Sequence, residues 1–563
     1  VPANDDSPYV HLLYHGFSKK NKTYAIIYKG KSGQMSKLAE YLNKQMVGNV
    51  FDRATILRSF ATDQSILRIT PRLVAFPETT ADVRGVLRFV NQLAERELTL
   101  PITVRGTGFD KTGAAIGPGL ILSTTKLNRI EEIDTRSRLV RVQPGVTLGA
   151  LNQALRLHGL WLPVGCDEGL TIGGLIAGTP TDRYVRRHGG ITRLVERVEV
   201  VLANGEEIQV APINARAVES RTAGGSAERE LYRRLERIID DQADTILDRG
   251  MQPFDASGYA NIVHVHEGRG FDLLPLLFAS QGTLGIITDI ILKVKLAPTH
   301  VKRLLISFHD QKVAERFLNF AYDLEPYLLQ VVDLRILAAA AETGKKSDLF
   351  TRKLGKGLLV MVGFDQGKLQ NAKNIKRCLR ALPDNVLRVE EDANNHADFE
   401  SIRTAIVSYL NDSGYLARVP ICDDVYIPNS SFAQFCNGLV ELERVFHQDL
   451  PVYGSFAAGS YSVRPDFDYT DLDGRKQIID FLRLFSGLVD ECRGSVTGNC
   501  PEGRVKTLVK DSVIGVGERQ LYTAIKEAFD PYNILNPGVK LGAKTRDTIR
   551  SLNTTEKDTV VAL

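Results

Sequence analysis

Apolar residues recur along the chain either every three or four positions or in short continuous runs, which predicts alternating helices and strands. Helical spacing follows Thr79-Thr80, a pair suited to capping a helix, and continues through six apolar positions to Ala94. An apolar extended run over 98–104 predicts the strand that follows. Further strands are predicted at 120–123, 139–142 and 198–202. The pattern up to Pro298 is therefore that of an α/β or α+β unit.

The succession of elements changes after Pro298. Strands are predicted at 301–308 and 357–364, and helices at 312–324 and 367–381. This succession is typical of an α+β domain with helices on one face of a mostly antiparallel sheet. From Thr497 the chain is rich in glycine and charge, and it predicts one more helix over 515–529.

Composition restricts the class of protein. The 563 residues, 43% apolar and 25% charged, are typical of a soluble globular protein with two or more cores. The net charge of +4 comes from scattered basic residues, which argues against a nucleic-acid partner. Six cysteines without a CxxC pair predict no iron–sulfur or zinc site and favour a cytoplasmic location. We expect no signal peptide and no transmembrane segment, and attachment to a membrane surface stays open.

Two glycine clusters carry the first candidate chemistry. The segment 105–113, RGTGFDKTG, follows the strand predicted at 98–104, and the second cluster is 171–174, TIGG. Glycines allow close approach to the backbone, and successive amides form a concavity that suits a pyrophosphate. The alternative for the first cluster is an ordinary glycine-rich turn between two strands.

Five segments together resemble one known family. They are FATDQSILRITPRLVAFPETTADV (60–83), RGTGFDKTG (105–113), TIGGLIA with the later HGG and VEVVLANGE (171–206), LFASQGTLGIITDI (277–290) and FDPYNILNPG (529–538). In this order they resemble the FAD-linked oxidases of the vanillyl-alcohol-oxidase/p-cresol-methylhydroxylase (PCMH) type. Within that family the chain looks most similar to D-lactate, glycolate and other D-2-hydroxyacid dehydrogenases.

The resemblance implies an α+β flavoprotein of two domains. A PCMH-type FAD-binding domain would span 51–298 and be completed by a C-terminal segment, 497–545, that returns to it. An α+β cap domain with an antiparallel sheet would span 299–496 and cover the substrate. The remaining parts are an N-terminal extension, 1–50, and a polar tail, 546–563.

The resemblance also implies which residues bind the FAD. Phe109 stands where relatives often carry a histidine that tethers the flavin, so we predict noncovalent FAD. Arg105 is expected to be structural rather than a phosphate ligand, and His188 to pack or hydrogen-bond rather than act as an acid or base. The expected cofactor-binding residues are Arg105, Gly106, Thr107, Gly108, Phe109, Gly113, Pro144, Gly165, Thr171, Gly173, Gly174, His188, Gly189 and Asn536.

The metal site of the similar dehydrogenases is degenerate in this chain. Ser455 and Ser462 stand where two metal-binding histidines are expected, and Asn499 and Cys500 replace the Glu-His pair of ligand and base. Serine and asparagine do not build an ordinary divalent-metal site, so we expect no metal.

The same comparison of motifs leaves four candidate catalytic residues. Arg403 matches the arginine that binds the substrate carboxylate, with a surface arginine as the alternative. Cys500 or Glu502 would replace the missing base, and Tyr461 would donate to an oxyanion. For each of these three the alternative is a loop residue without a catalytic role.

These expectations predict an FAD-dependent oxidoreductase that acts on the CH–OH group of a small organic acid, in particular a 2-hydroxy acid. Hydride would pass to flavin N5 without a divalent metal, and a separate acceptor would reoxidise the flavin: a quinone, a redox protein or oxygen. One alternative is a flavin-binding scaffold or regulatory protein that has lost dehydrogenase activity. Another is an oxidase of a sugar or an aromatic alcohol.

Overall fold

The structure is a computed structural model. It describes residues 35–178, 182–214, 227–250, 256, 258–266, 270–342, 357–383, 386, 388–392, 399, 401–403, 405–406, 409, 419–469, 471–498, 500–507 and 514–553. Asn499, one of the degenerate metal-site positions, lies outside the described residues, as do most of the N-terminal extension and the end of the polar tail. Across the described ranges, no helix is both long enough and apolar enough to cross a membrane.

The described residues form eighteen strands, numbered in chain order. They are β1 Asn49–Phe51, β2 Leu73–Phe76, β3 Ile102–Arg105, β4 Leu120–Ser123, β5 Ile130–Asp134, β6 Leu139–Val142, β7 Leu160–Trp161, β8 Val195–Val201, β9 Glu207–Val210, β10 Ile286–Lys293, β11 Lys295–Leu296, β12 Lys302–Phe308, β13 Leu328–Asp333, β14 Leu358–Phe364, β15 Arg388–Asp392, β16 Cys422–Tyr426, β17 Val452–Ser455 and β18 Ser460–Val463.

The α-helices of the described residues connect these strands. They are Lys37–Gln45, Ala54–Ser59, Thr80–Glu95, Leu148–Arg156, Ile172–Gly178, Val185–His188, Ala227–Asp241, Ala243–Gly250, Leu274–Leu277, Gln311–Tyr322, Leu334–Glu342, Lys368–Arg380, Phe432–Phe446, Leu472–Glu491, Val516–Phe529 and Thr545–Arg550. Short 3-10 helices lie at Thr124–Lys126, Ile191–Arg193, Ala260–His264, Asn429–Ser431 and Phe456–Ala458.

The first domain contains a four-stranded and a five-stranded sheet. The four-stranded sheet has the order β1-β2-β4-β3, with β2 and β3 parallel to β4 between them. The five-stranded sheet is antiparallel, in the order β5-β6-β10-β8-β9. Helix Val516–Phe529 packs its apolar face into the core below the five-stranded sheet, so the end of the chain returns to this domain. The domain bounds at 298 and 496 stay predictions.

The second domain is built on one antiparallel sheet of seven strands, β15-β12-β14-β13-β17-β18-β16. Helices were expected on one face only, and that expectation is wrong. Residues at alternate positions of β12 enter different cores: Leu304 and Ile306 contact one set of helices, whereas Leu305 contacts helix Leu334–Glu342 on the other face. Both faces are covered because both carry apolar side chains.

Asp82 joins the start of helix Thr80–Glu95 to the chain before it. Thr79 caps the helix as predicted, and the structure adds that Asp82 caps it reciprocally; the Asp82 carboxylate also accepts the backbone N–H groups of Val47 and Gly48. We therefore expect Asp82→Ala to lower the free energy of unfolding by about 2 kcal/mol, because it leaves several buried donors without partners. Urea denaturation compared with the Asp480→Ala variant, altered at an exposed helical aspartate, measures this loss; equal stability of the two variants would contradict it.

Candidate functional site

The Arg105 side chain packs against the glycine loop 105–113, of which Arg105 is the first residue. Its guanidinium donates to the carbonyl of Thr62 at 2.8 Å and lies over the ring of Phe60. Gly108 has a φ of +81°, and a Cβ there would come within 2.3 Å of Arg105 Nη2. The glycine is thus needed both for its backbone conformation and for the space that the arginine fills. This geometry fits the structural role expected of Arg105.

The two glycine clusters of the sequence contact each other in space. A Cβ at Gly106 would lie 2.3 Å from Thr171 Oγ1, and Thr107 Oγ1 donates to the carbonyl of Gly169 at 2.8 Å. The ring of Phe109 packs against Gly169, where a Cβ would be 3.0 Å from it. The loop after β3 and the start of helix Ile172–Gly178 therefore form the two sides of one cleft.

The second side of the cleft is fixed by backbone contacts around Pro144. The amide of Gly173 donates to the Pro144 carbonyl at 2.9 Å, and a Cβ at Gly173 would lie 2.7 Å from the proline ring. The amide of Gly174 donates to Thr171 Oγ1 at 3.2 Å. Side chains larger than hydrogen at these positions would push the helix away from the turn.

The backbone amides of the first loop are available to a ligand. Among the described residues, none accepts a hydrogen bond from the backbone N–H groups of 106–109. Gly113, with a φ of +80°, closes the loop. Consecutive free amides at a glycine-rich turn form an anion-binding concavity. The residues therefore fit the pyrophosphate of a dinucleotide, whose phosphates would be bound by these amides.

Asp63 lies near Asp110 of the same loop, and its titration should make the stability of the protein depend on pH. Burial and the nearby Asp110 raise its pKa to about 7. The folded protein thus keeps a proton on Asp63 that the unfolded chain loses near its ordinary pKa. Stability should therefore fall as the pH rises from about 4 to about 7.

Asp63→Asn should remove this part of the pH dependence and leave a protein more stable than the wild type above pH 7. Thermal melting between pH 4.5 and 8 measures it, with Asp310→Asn, at an exposed helix cap, as the control. Parallel melting curves for Asp63→Asn and the wild type across this range would contradict the expectation.

His188, Gly189 and Gly165 lie at a contact between the two domains. His188 Nε2 is 2.8 Å from Asp365 Oδ2 of the second domain, and its ring packs edge-on against Trp161. Gly189 ends the short helix with a φ of +89°, and the amide of Gly165 donates to the buried Asp182. The His188 side chain therefore packs and hydrogen-bonds within the protein, and a contact of this residue with the cofactor stays a prediction.

The Asn536 side chain is fully hydrogen-bonded within the protein. Its amide nitrogen donates to the carbonyls of Ala114 and Gln281, and its amide oxygen accepts from Thr103 and Arg504. All four hydrogen-bonding positions of the side-chain amide, two donors and two acceptors, are thus used within the protein. The Asn536 side chain thus supports the end of the loop 105–113, and a contact of this residue with FAD stays a prediction.

Tyr461 and Glu502 do not reach a substrate. Tyr461 is fully buried in the second domain, where its ring packs against Phe432. Successive side chains of a strand point to opposite faces of the sheet, so Tyr461 lies on the other face from its neighbours in β18. Glu502 is also fully buried, and its carboxylate forms an ion pair with Lys540 Nζ at 2.9 Å. Both are therefore structural residues, and their expected catalytic roles are corrected.

Cys500 and Ser455 are likewise unsuited to the roles that their positions indicate. Burial raises the pKa of the Cys500 thiol to about 12, so it is protonated at neutral pH and is no base. Ser455 Oγ accepts the amide of Ala458 and caps a 3-10 helix. Among the described residues, no group of three or more His, Cys, Asp or Glu side chains is arranged to bind a metal ion.

Five charged residues from both domains meet beside the glycine loop. We name this set, Lys111, Asp423, Asp424, Arg464 and Lys506, the interdomain charge cluster. Lys111 Nζ lies 3.0 Å from Asp423 Oδ2 and 3.4 Å from Asp424 Oδ2. Arg464 binds both carboxylate oxygens of Asp423, and Lys506 Nζ donates to the Asp423 backbone carbonyl.

The charges in this cluster are fixed by their neighbours. Burial opposes the ionised forms, but Arg464 and Lys111 outweigh it and hold the pKa of Asp423 well below its usual range. In the same way, Asp423 and Asp424 outweigh burial and hold the pKa of Lys111 well above its usual range. Three cations and two carboxylates give the cluster a net charge of +1 at neutral pH.

Arg403 remains available to a ligand. Its side chain is 43% exposed, and its nearest ionic partner among the described residues, Asp167 of the first domain, is 4.0 Å away. Asp167 follows Cys166, whose surroundings include both Asp167 and Asp424. Arg403 of the second domain thus lies beside a carboxylate of the first domain.

Sequence reasoning missed Lys111, Asp423 and Asp424. A signal existed, because two consecutive aspartates interrupt the apolar strand β16 and a lysine stands in the glycine loop. Their convergence was not visible, since Lys111 and Asp424 lie 313 positions apart.

Comparison with known proteins agrees with this geometry. Residues 71–211 match the FAD binding domain family, and residues 297–539 match the family of C-terminal domains of FAD linked oxidases. The chain is 27% identical over 520 residues to D-2-hydroxyglutarate dehydrogenase of Escherichia coli, covering 86% of this chain and 49% of that protein. It is 24% identical over 496 residues to D-lactate dehydrogenase of Archaeoglobus fulgidus, covering 85% and 95%. The chain thus spans about half the length of the D-2-hydroxyglutarate dehydrogenases that it matches.

Solved structures share the fold. The 4-ethylphenol oxidase from Gulosibacter chungangensis superposes with a TM-score of 0.64 at 16% identity, covering 90% of this chain and 97% of that one. An alkyldihydroxyacetonephosphate synthase superposes with a TM-score of 0.59 at 14% identity, covering 87% and 82%. The α+β architecture is therefore that of proteins with a PCMH-type FAD-binding domain. With both domains matched in order and FAD as the cofactor of the first, the chain belongs to the FAD-linked oxidases.

Proposed function

We propose that this chain is an FAD-dependent oxidoreductase that oxidises the CH–OH group of a small organic acid, in particular a 2-hydroxy acid. The observation that carries the proposal is Arg403, a 43% exposed guanidinium whose nearest ionic partner among the described residues is Asp167 of the first domain, 4.0 Å away. A guanidinium binds a carboxylate through two parallel hydrogen bonds, which fixes the orientation of the acid. Relatives that match 86% and 83% of this chain are named D-2-hydroxyglutarate dehydrogenase and D-lactate dehydrogenase.

Each part of the site has a role in this proposal. The amides of 106–109 bind the pyrophosphate, and Phe109, which has no nucleophilic atom, leaves the FAD noncovalent. Arg403 binds and orients the substrate carboxylate. Bound FAD supplies the two-electron acceptor at N5, and a separate quinone, redox protein or oxygen accepts its electrons afterwards. No divalent ion takes part, since Ser462 bonds within the protein and Ser455 caps a 3-10 helix.

The test is anaerobic bleaching of the purified protein's flavin absorbance by D- and L-2-hydroxy acids, aldoses and aromatic alcohols. We expect bleaching by at least one 2-hydroxy acid and no effect of EDTA. Arg403→Met should raise the half-saturating concentration about tenfold or more, because it removes a charge-assisted bidentate contact. The matched control is Arg444→Met, which alters an arginine on an exposed helical face.

A scaffold without dehydrogenase activity is the second candidate. The protonated thiol of Cys500 at the position of the expected base favours it. Bound flavin that no compound bleaches would support the scaffold and contradict the enzyme, whereas bleaching by aldoses or aromatic alcohols alone would assign another substrate class.

A further inference from the structure

Asp424 has an unusual backbone in the interdomain charge cluster. It lies in β16, where the pairing with β18 shifts between Cys422 and Val425, and its φ is +58°. A residue other than glycine rarely adopts this conformation, and such strain of about 1–3 kcal/mol is concentrated at functional sites. At this irregularity the two neighbouring aspartates differ in exposure: the Asp423 side chain is 1% exposed and that of Asp424 is 34% exposed.

The Asp424 carboxylate also keeps free capacity to accept a hydrogen bond. Its contacts with Lys111, Ser460 and Ser462 are 3.4, 3.4 and 3.5 Å long, at the outer limit of hydrogen bonding. Asp423, in contrast, uses both carboxylate oxygens on Arg464. Of the two carboxylates, Asp424 is therefore the one that a substrate hydroxyl can approach.

An unused hydroxyl group lies beside the same cluster. Tyr453 of β17 is directly opposite Ser462 of β18, so the two side chains share a face. The buried Tyr453 hydroxyl has no hydrogen-bond partner among the described residues. A buried O–H group without a partner is costly, and a bound substrate oxygen would satisfy it.

We propose that Asp424 is the catalytic base of this chain and that Lys111 binds the substrate oxygen from which Asp424 takes the proton. This inference rests on the proposed function and names the base that the corrected roles of Cys500 and Glu502 leave open. The net charge of +1 stabilises negative charge that develops on that oxygen. Lys111 keeps its own proton because both aspartates face it.

The O–H bond breaks and its proton moves to an Asp424 carboxylate oxygen, while its electron pair forms the second carbon–oxygen bond. The C–H bond breaks as hydrogen leaves with both electrons and the carbinol becomes a carbonyl; bound FAD would supply the two-electron acceptor for this hydride. Asp424 then releases its proton to water at its exposed edge.

Charged and titratable groups face Asp424 from several elements of both domains. They come from the glycine loop, the segment after β7, the neighbouring strands and the C-terminal segment: Lys111, Cys166, Asp423, Tyr453, Arg464, Cys500 and Lys506. Lys111 and Arg464 are held in the charged form, while burial raises the pKa of both thiols and keeps them neutral.

The experiment measures single-turnover anaerobic bleaching by glycolate, D-lactate, D-malate and D-2-hydroxyglutarate. Asp424→Asn should lower the limiting rate about 100-fold or more, as loss of a general base does. Its half-saturating concentration should stay within about threefold, because Arg403 still binds the carboxylate. Asparagine tolerates positive φ, so the strand should keep its shape. Asp480→Asn, an exposed change on helix Leu472–Glu491, is the matched control and should bleach at the wild-type rate.

A second variant separates a chemical role from a structural one. Asp424→Gly also accepts a φ of +58°, and added formate should restore part of its bleaching rate, about fivefold or more, by replacing the missing carboxylate. Formate should not accelerate the Asp480→Asn protein. Lys111→Met should lower the limiting rate at least tenfold without changing the flavin content.

The outcomes distinguish a failure of the proposed function from a failure of the assignment of Asp424 as the base. If no acid bleaches the wild-type flavin, the proposed function fails and this inference fails with it. If the wild type bleaches and Asp424→Asn does so at a similar rate, only the inference is overturned. A slow Asp424→Gly protein that formate does not accelerate also overturns it.

Discussion

Lys540→Met is expected to destabilise the first domain by about 3–5 kcal/mol, because it leaves a buried carboxylate without its counter-ion. The side chains of Lys540 and Glu502 are both 0% exposed, and their charged atoms are 2.9 Å apart. Lys540 Nζ also donates to the Ala256 carbonyl, which would lose its partner. Guanidinium denaturation followed by tryptophan fluorescence and circular dichroism measures the loss.

Two variants control this prediction. Lys44→Met removes a lysine that is 62% exposed in its pair with Glu40, and we expect a change within about 0.5 kcal/mol. The double variant Lys540→Met/Glu502→Gln should be more stable than Lys540→Met alone, since no unpaired charge stays buried. A Lys540→Met protein as stable as the Lys44→Met control would show that the buried ion pair does not stabilise the first domain.

Gly106→Val should reduce the affinity for FAD about 100-fold or more, by separating the two glycine clusters. A Cβ at this position would lie 2.3 Å from Thr171 Oγ1 and 3.1 Å from Thr171 Cγ2, so the loop and the helix start must move apart. The free amides of 106–109 would then lose their common orientation. The flavin-to-protein absorbance ratio of the purified protein, and titration of the apoprotein with FAD, measure the effect.

Gly85→Ala is the matched control for Gly106→Val. Gly85 lies in helix Thr80–Glu95, and a Cβ there would meet nothing within 4 Å. Alanine favours a helix by about 1 kcal/mol over glycine, so this variant should bind FAD normally and be slightly more stable. Normal flavin content in Gly106→Val would mean that the contact between the glycine clusters does not shape the cofactor site.

Local elements were predictable because their signals lie in consecutive residues. The strands at 120–123 and 139–142 were predicted with the bounds that the structure shows, and Thr79 caps the helix as expected. The strand predicted at 98–104 begins only at Ile102, because Pro101 lacks an N–H group and its carbonyl accepts the amide of Leu120. Periodicity and capping are short-range properties, so a single sequence contains them.

The roles of single polar residues were less predictable, because burial and pairing depend on distant parts of the chain. Glu502 is close in sequence to the expected base, but Lys540 binds it in the folded protein. Asn536 lies in a segment that resembles a flavin-binding return, yet its side chain is used within the protein. Sequence assigns such residues to a segment, and only the fold determines which atoms meet.

The amino-acid sequence by itself determined the family, the FAD cofactor and the glycine clusters that would bind its pyrophosphate. It could do so because close backbone approach requires glycine at given positions, whatever surrounds them. The tertiary structure alone decided which charges face the space between the domains. It placed Lys111 of the glycine loop against Asp423 and Asp424 of β16, where paired charges can stay ionised away from bulk water. That pairing depends on the docking of two domains, which residue order does not encode locally.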